Sequence, residues 1–570
     1  MTTLSSIRLT RIEDAGAGGV QVYATPDLLP TTGLTAGDQA FVTSNQRLYI
    51  STGSGWYNVA LINSTPTFTT GPDATYALSN DLTPTVITLL AQDSDGQVVT
   101  YSASDSGMTG IATLSQDSSV FTITPLTDSA GGDIGTFTIT FQATDGIGIA
   151  SELSTFTLSF GPDWANPTNT QILPTTSIAA AAFGSAAAIS DDGNYAVISA
   201  RSETSGRGAV YVYTVSGSTF TQQAQLIPSV NSQTYSFGEN VVINSDGTYI
   251  AVCCKREPVG GNSNQGAVYI FTRSGSTWTE QQRILNPLAS TAAQYFGADA
   301  AIDDTGTYLL ITEYNHHDPG SFTNTGTVHF YTRSGSTWTK QGEVQSTDLA
   351  TEDYYGSSVS MTPDGTYAII SAPQDDSPSQ NAGSCYIFTR SGTTWTQQAK
   401  INASDAAFND YFGGCVTISG DSNYAIVASS NTDGASTGDG AVYVFTRSGS
   451  TWTQQAKLIA PDTVNTDSFG GSNFGERRMD INSDGTIVAV GAPGKDVSGY
   501  LGVGRIYIFE RDGSTWSQTE IVDHPGISKD YYQLGTAVAM NSDGSSILAG
   551  AVSDNPSSVN NAGAAYFFEA

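Results

Sequence analysis

Several side chains capable of ligand chemistry fall in one stretch of this sequence that reads as a loop, residues 313–326. It contains Tyr314, His316, His317 and Phe322. An aromatic ring can stack on the apolar face of a pyranose, while imidazole and hydroxyl groups hydrogen-bond the hydroxyls of the sugar. The sequence therefore predicts a ligand-binding loop here, with a sugar as the favoured ligand.

Acidic residues in two further loops extend this predicted binding surface. They are Asp375, Asp376, Asp433 and Asp439. Carboxylates accept hydrogen bonds from sugar hydroxyls, which is why we include them. A solvated aspartate in a loop needs no ligand, so a structural role is the alternative for each of them.

Catalytic and metal-binding arrangements are not indicated in these loops. His316 and His317 are followed by Asp318, but neighbouring side chains in a loop diverge and no further zinc ligand is evident. The stretch SGSTW at 274–278 lacks the aspartate of a sialidase Asp-box. We predict no catalytic residues and no enzyme activity.

The loops belong to a repeating unit that extends from residue 171 to residue 570. Each unit reads as four short apolar strands, with an Asp-Gly type turn, a variable loop and a Ser-Gly type turn between them. Alternating apolar residues separated by Gly-containing turns are typical of antiparallel hairpins. The seven predicted unit starts are Phe183-Gly184, Phe237-Gly238, Phe296-Gly297, Tyr355-Gly356, Phe412-Gly413, Phe474-Gly475 and Leu534-Gly535.

The last unit ends after its third strand, and the missing strand is found at the other end of the repeats. Residues 164–174, WANPTNTQILP, match the segment that ends the later units. Pairing this segment with the last unit would close a ring and leave no exposed sheet edge. The sequence thus predicts an all-β chain with a seven-bladed β-propeller at 161–570, closed by an N-terminal strand.

The repeats resemble a known family. The FG at five of the seven unit starts, with SAP at 371–373 and GAP at 491–493, is similar to the FG-GAP repeat of integrin α-subunit propellers and their bacterial relatives. That family carries aspartate-rich calcium loops between the first two strands of several blades. The matching turns here, such as NSDGTY and TPDGTY, are too short and too poor in carboxylates for six oxygen ligands. We expect no calcium in the propeller.

The turns and loops of the units differ in how much they vary, and this difference indicates where a ligand would bind. The Asp-Gly and Ser-Gly turns are short and nearly uniform, whereas the loops after the second strand and between units vary in length and chemistry. In an up-and-down blade the two loop sets emerge on one face and the turns on the other. Binding residues concentrate on loops held by a rigid scaffold, so the variable face is the predicted recognition surface.

A tryptophan recurs beside the Ser-Gly turn, and Phe220 takes its place in the first unit. A residue at the same strand position of each unit usually fills the same gap in the scaffold. We therefore predict packing rather than a row of sugar platforms. The tryptophans are Trp278, Trp338, Trp395, Trp452 and Trp516.

Residues 63–160 form a different predicted unit, an Ig/cadherin-like β-sandwich that serves as a spacer. The phrases AQDSDGQVVTYS and FQATDGIGIASE resemble bacterial cadherin-like modules. This resemblance implies that Asp93, Asp95 and Asp145 could gather one calcium ion, and no other cofactor is indicated. The DxNDN linker of that family is missing, so plain turn chemistry is the alternative.

Residues 1–62 are predicted to form a small β module, because GDQAFVTSNQRLYISTGSGWYNVAL reads as a three-stranded meander. So short a chain buries too little surface to be stable alone. We expect it to dock on a partner or to oligomerise, with a homotrimer as one arrangement. The sequence of this segment resembles those of the N-terminal modules of marine bacteriophage virion and fibre proteins.

Charge excludes two classes of partner. The chain has 21 Lys and Arg against 53 Asp and Glu, a formal net charge of −32. A potential of this sign repels phosphate backbones and anionic lipids, so we expect no nucleic-acid binding. No run of residues is long and apolar enough to predict membrane insertion.

These patterns together favour a bacteriophage virion structural protein. It would be a head or tail fibre or decoration module, held by its N-terminal module to other virion proteins, whose propeller adheres to a host-surface glycan or receptor. We expect it in the virion, assembled in the host cytoplasm, because MTTLSSIRLTRIEDAG lacks the features of a secretory signal. A bacterial cell-surface or secreted adhesin is the alternative, and a glycan hydrolase or lyase is the least favoured.

Overall fold

The structure is a computed structural model. It divides the chain into two compact units, residues 1–161 and 162–570. The residues that it describes are 20–44, 47–60, 65–77, 84–93, 98–108, 111–125, 135–145, 149–158, 164, 167–176, 178–230, 236–287, 293–316, 324–348, 350–432, 439–462, 467–471, 476–554 and 561–570.

The first unit begins with a four-stranded sheet. Its strands are β1 (Gln21–Tyr23), β2 (Gln39–Val42), β3 (Arg47–Ser51) and β4 (Trp56–Ala60), with a 3₁₀ turn at Pro26–Leu28. Strands β2 to β4 are antiparallel, as the predicted meander requires, and β1 adds a parallel strand beside β2. Ala40, Val42 and Tyr49 are buried beneath the sheet, which gives this short segment a small core.

The rest of the first unit contains two larger sheets and one small one. Phe121, Ile123 and Ile87 of one sheet share a hydrophobic core with Phe137 and Phe141 of the other. The strands are β5 (Thr67–Thr70), β6 (Thr75–Ala77), β7 (Thr85–Thr88), β8 (Leu90–Gln92), β9 (Thr100–Ser106), β10 (Ala112–Asp117), β11 (Val120–Pro125), β12 (Gly135–Thr144) and β13 (Ile149–Leu158). The sheet orders are β10-β11-β7, β6-β13-β12-β9 and β5-β8. The Ig/cadherin-like assignment of this part stays a prediction.

The described part of residues 162–570 forms seven four-stranded sheets, numbered one to seven in chain order of their first strands. The first strands are β15 (Phe183–Ile189), β19 (Val241–Ile243), β23 (Phe296–Ile302), β27 (Val359–Met361), β31 (Phe412–Ile418), β35 (Met479–Ile481) and β39 (Leu534–Met540). The second strands are β16 (Tyr195–Ala200), β20 (Tyr249–Cys254), β24 (Tyr308–Glu313), β28 (Tyr367–Ala372), β32 (Tyr424–Ser429), β36 (Ile487–Ala492) and β40 (Ser546–Ala551).

The outer strands complete each antiparallel sheet. The third strands are β17 (Ala209–Ser216), β21 (Ala267–Ser274), β25 (Thr327–Ser334), β29 (Ser384–Ser391), β33 (Ala441–Ser448), β37 (Arg505–Asp512) and β41 (Ala564–Glu569). The fourth strands are β18 (Thr219–Leu226), β22 (Thr277–Leu285), β26 (Thr337–Val344), β30 (Thr394–Ile401), β34 (Thr451–Leu458), β38 (Thr515–Asp523) and, in sheet seven, β14 (Thr168–Ile172). One helical turn, Glu203–Gly206, follows β16.

Strand β14 comes from the N-terminal side of the repeats and pairs antiparallel with β41, the last strand of the chain. Thr168 lies opposite Glu569 and Ile172 opposite Ala565. This is the pairing predicted for residues 164–174. Trp164, just before the strand, is 1% exposed and packs in the core between sheets six and seven.

The first strands surround a common axis. Each contacts the first strand of the next sheet, and β39 of sheet seven contacts β15 of sheet one. A cavity of about 190 Å³ is lined by residues from all seven first strands. The arrangement of sheets around an axis is that of a β-propeller.

The recurring tryptophans pack between neighbouring sheets, as predicted. Trp278 Nε1 donates to Gln223 Oε1 of the preceding sheet at 2.7 Å, and Trp452 Nε1 donates to Gln398 Oε1 at 2.9 Å. At these two positions the indole fills a gap and also satisfies its own donor. In the described residues, no helix has the length and apolar character needed to cross a membrane.

Candidate binding face and axial pocket

In six of the seven sheets, the described part of the loop after the second strand is hydrogen-bonded to the beginning of the next sheet. In sheet two, Gln265 O accepts a hydrogen bond from Phe296 N at 3.1 Å, and at ring closure Ala562 O accepts one from Phe183 N at 2.9 Å. Gly563, with a φ of +82°, lies so close to the next sheet that a Cβ there would be 2.1 Å from Phe183 O. These loops and the inter-sheet loops form the loop face, which is anchored on a rigid scaffold.

The opposite end, the turn face, consists of the turns between first and second strands and between third and fourth strands. In sheet four, Asp364 Oδ1 accepts hydrogen bonds from Thr362 Oγ1 at 2.7 Å and Thr366 N at 2.9 Å. Burial raises the pKa of Asp364, but these hydrogen bonds outweigh burial and leave it below its usual value. The carboxylate thus stabilises its own turn.

Asp375, a predicted ligand residue, lies inside the propeller and not on the loop face. It is 4% exposed, its Oδ2 accepts from Tyr386 Oη at 2.6 Å, and Lys400 Nζ lies 2.8 Å from the same oxygen. Glu257 takes the equivalent place beside Tyr269 in sheet two. Asp375, Tyr386 and Lys400 therefore stabilise the base of the loop that follows β28.

Sheet three replaces this arrangement with a buried cluster. Glu313 ends β24, His329 Nε2 lies 2.6 Å from its Oε2, and Nδ1 of His316 lies 3.3 Å from its Oε1. Burial raises the pKa of Glu313, but hydrogen bonds and charges of the two imidazoles outweigh it and lower the pKa below its usual value. His316, predicted to bind a ligand, is 4% exposed and lies at the base of its loop.

The other predicted aspartates divide between surface and interior. Asp376 is exposed, and its Oδ1 accepts from Asn381 N at 2.9 Å within the same loop. Asp439 is 1% exposed. The predicted residues His317, Phe322 and Asp433 lie outside the described residues.

Tyr314 is the predicted ligand residue that the structure places at a cavity. Its ring stacks on Tyr295 with centroids 5.4 Å apart, and Lys255 Nζ lies 5.8 Å from its centroid. Burial raises the pKa of the Tyr314 hydroxyl. Tyr314 and Tyr295 both line a cavity at the loop-face end of the propeller axis.

This cavity, the axial pocket, has a volume of about 400 Å³. It lies where the first strands begin, because Ser185, Ala298 and Ala537 line it. Four cations face two carboxylates in a chain that is strongly acidic overall. The charged residues that line it are Arg201, Lys255, Arg256, Arg477, Glu239 and Glu476.

Two of these residues, Glu476 and Arg477, come from an insertion in sheet six. Phe412 precedes Ile418, the end of β31, by six residues, whereas Phe469 precedes Ile481, the end of β35, by twelve. Phe469 takes the buried aromatic position, with its ring 5.5 Å from that of Tyr507.

The predicted start of this unit at Phe474-Gly475 is therefore wrong. Gly470 N donates to Gly491 O at 3.0 Å, as Gly356 N does to Ser371 O in sheet four. The Phe469-Gly470 dipeptide is the equivalent of the other unit starts, and residues 474–475 lie outside the described residues.

Arg477 crosses the axis from sheet six to sheets three and four. Its Nε and Nη2 lie 3.2 and 3.1 Å from Asp299 Oδ1, and Nη2 donates to Ala300 O at 2.5 Å and to Val359 O at 3.2 Å. Asp299 is fully buried and also accepts from Asn240 Nδ2 at 2.6 Å. Arg477 lines both cavities on the axis, so it forms the floor of the axial pocket.

The second cavity, on the turn-face side of Arg477, is lined by carboxyl groups. Burial and the neighbouring Asp191 carboxylate raise the pKa of Asp304 to about 7. Burial also raises the pKa of Asp480 to about 6, although hydrogen bonds from Met540 N and Ile481 N oppose the shift. The two ends of the axis thus differ in charge, with cations at the loop face and carboxyl groups near the turn face.

Residues 338–388, 395–445 and 452–509 match the FG-GAP repeat. Each match begins in the fourth strand of one sheet and ends in the third strand of the next, so the FG-GAP repeat is offset by one strand from the sheets. No curated protein matches the chain.

Two solved structures are similar at low sequence identity. An oligogalacturonate lyase from Vibrio parahaemolyticus has a TM-score of 0.42 and 10% identity, covering 72% of this chain and 95% of its own. The WD40 repeats of RRP9 have a TM-score of 0.44 and 9% identity, covering 72% of this chain and 99% of their own.

The predicted calcium site of the first unit is described in part. Asp93 follows β8 and Asp145 follows β12, whereas Asp95 lies outside the described residues. Where the chain is described, no three His, Cys, Asp or Glu side chains are grouped to hold a metal ion. The calcium site stays a prediction.

Proposed function

We propose that this chain is a structural protein of a bacteriophage virion, a head or tail fibre or decoration module, whose propeller adheres to a glycan or protein of the host surface. In this proposal the seven sheets are the blades of one ring. Residues 1–62 anchor the chain to other virion proteins and 63–160 act as an Ig/cadherin-like spacer. The propeller binds its target without catalysing a reaction.

The contrast between the two faces carries the proposal. On the turn face, carboxylates such as Asp364 are used by their own turns. On the loop face, the loops differ from sheet to sheet while the four-stranded sheets repeat, and Asp376 and Arg256 are exposed there. A rigid scaffold with a varied surface is the arrangement that binding proteins use.

A further observation supports a binding role for the loop face. The cations of the axial pocket are not part of the repeat, because the residue equivalent to Arg201 and Lys255 is Pro373 in sheet four and Val552 in sheet seven. Residues that the scaffold does not need are candidates for function. The resemblance of residues 1–62 to phage virion modules supports the location in a particle.

The test is to block one face at a time. All four native cysteines are buried, so a new surface cysteine can be coupled selectively to maleimide polyethylene glycol. Asp376→Cys places the polymer on the loop face, and Thr393→Cys places it on the turn face of the same sheet. We expect the fluorescent full chain to bind host cells, the first conjugate to lose binding and the second to keep it.

Equal binding by both conjugates would refute adhesion through the loop face. Location is tested separately with an antibody against the chain. Detection in purified phage particles supports the virion, whereas detection on the surface of uninfected bacteria would favour the alternative of a bacterial adhesin.

A further inference from the structure

We infer that the axial pocket binds an anionic group, a carboxylate or a sulfate, carried by a saccharide. That the ligand is a surface glycan rests on the proposed function. That the bound group is negatively charged rests on the residues of the pocket. It assigns the recognition of the negative group to Arg201, Lys255 and Arg256.

The charge of the pocket is the first argument. Four of the 21 basic residues of the chain line this one cavity, against two carboxylates. The chain as a whole carries −32, so its general field repels anions. A recess with low-dielectric walls focuses the local field, and here the local sign is the opposite of that of the chain.

The availability of donors is the second argument. No hydrogen bond or ion pair joins the Arg201 guanidinium to any residue that the structure describes. Lys255 and Arg256 share a single carboxylate, with Nζ 3.1 Å and Nη2 3.7 Å from Glu239 Oε1. The Arg256 side chain is 53% exposed, and a guanidinium fork matches the paired oxygens of a carboxylate or sulfate.

The break in the sevenfold repeat is the third argument. Basic residues follow the second strands of sheets one and two, at Arg201 and Lys255, and Tyr314 follows that of sheet three. Proline, serine or valine takes this position in the other four sheets. The insertion of sheet six adds Arg477 on the floor. These departures converge on one cavity, although ring closure requires none of them.

The size and lining of the pocket fit part of a saccharide. A volume of about 400 Å³ lies in the usual range for small-ligand sites. Tyr314 and Tyr295 line one side, and aromatic side chains present an apolar surface beside the polar groups of the recess.

The experiment is calorimetric titration of the full chain at low salt with three probes. The first probe is an oligosaccharide that contains glucuronate residues. The second is the same oligosaccharide after its carboxyl groups have been reduced to neutral alcohols. The third is a sulfated galactan oligosaccharide. We expect the neutral probe to bind at least about tenfold more weakly than the glucuronate probe, because charge-assisted hydrogen bonds are lost. The third probe distinguishes sulfate from carboxylate recognition. Binding should weaken as salt is raised.

The variants are Arg201→Gln with Arg256→Gln, and Lys340→Gln as the control. Lys340 pairs with Glu343 outside the pocket, so the control loses positive charge without touching the proposed site. We expect the double variant to weaken glucuronate or sulfate binding by about tenfold or more, and the control to bind like the native chain.

Equal binding of an acidic probe by the native chain and the double variant would overturn the inference. Equal binding of the glucuronate probe and its neutral, reduced form by the native chain would also overturn it. Failure of the native chain to bind either acidic probe would have the same consequence. Adhesion is scored independently by the polymer-conjugate assay. If the double variant still adheres to cells through its loop face, the pocket inference fails while the proposed function stands.

Discussion

Arg477 and Asp299 form an ion pair across the propeller axis, although 178 residues separate them in the chain. Asp299 is fully buried, whereas the Arg477 side chain is 28% exposed at the base of the axial pocket. The pair joins sheet six to sheet three through the centre, and it depends on the insertion that delivers Arg477.

The first prediction concerns this ion pair. Asp299→Ala should lower the free energy of unfolding by about 3 kcal/mol, since it leaves the guanidinium without its buried partner. Adding Arg477→Met should recover part of this loss, because the unpaired charge is removed. Urea denaturation of the two single variants and the double variant measures the coupling. Additive losses would mean that the two side chains do not stabilise one another.

The second prediction concerns ring closure at Gly563. Gly563→Ala should be strongly destabilising, since its Cβ would lie 2.1 Å from Phe183 O. Gly513→Ala is the matched control, because Gly513 also has a positive φ, +56°, but has nothing within 4 Å of its Cβ position. The control should lose only the roughly 1 kcal/mol of the left-handed conformation. Thermal unfolding of both variants provides the comparison, and similar losses would contradict the proposed close contact.

The third prediction concerns pH. The folded pKa of Asp304, about 7, is above the ordinary aspartate value because of burial and Asp191. A raised folded pKa contributes stability that is fully present below the unfolded pKa, about 4, and is lost as pH rises through 7. Asp304→Asn, which keeps a neutral donor beside Asp191, should abolish this dependence.

The pH prediction is measured as the unfolding temperature between pH 4.5 and pH 8. The gap between Asp304→Asn and the native chain should open in favour of the variant as pH rises, by about 2 °C. Asp543→Asn is a control, because Asp543 lies in a turn of the same type and bonds Ser545 N of its own turn. A gap that is independent of pH would rule out titration of Asp304 as the cause.

The fourth prediction concerns β14. A chain shortened to residues 174–570 lacks this strand and exposes the edge of β41, so it should unfold at lower temperature and self-associate through the open edge. A chain of residues 162–570 retains β14 and should remain monomeric. Light scattering after size-exclusion chromatography distinguishes them, and a stable monomer of 174–570 would refute the closing role of β14.

Much of the propeller could be predicted from sequence because its repeats are dense in local signals. The sequence segment shared by residues 164–174 and the later units predicted the closing strand. The recurrence of Trp278 at one strand position predicted its packing between sheets. The error at Phe474-Gly475 arose because sheet six contains two FG dipeptides. The spacing from the preceding tryptophan was the signal that could have resolved them, because Phe469 follows Trp452 by 17 residues, as Phe412 follows Trp395.

The axial pocket could not be predicted in the same way. Arg201, Glu239 and Arg477 are far apart in the chain and meet only because seven first strands converge on one axis. The burial of Asp375 and His316 was also hidden, because each follows a strand by three residues and reads as loop, whereas the fold turns its side chain inward. Tyr314, which lines the pocket, could be selected as a candidate because aromatic and histidine residues lie near it in its loop.

The pairing of β14 with β41 has a mechanical consequence. Tension in the chain from residues before 162 enters the ring at Trp164 and this strand, before it reaches sheets one to five. Five residue pairs, from Thr168 opposite Glu569 to Ile172 opposite Ala565, carry that load. The force at which a pulled propeller opens is therefore set by this short strand, however stable the remaining sheets are.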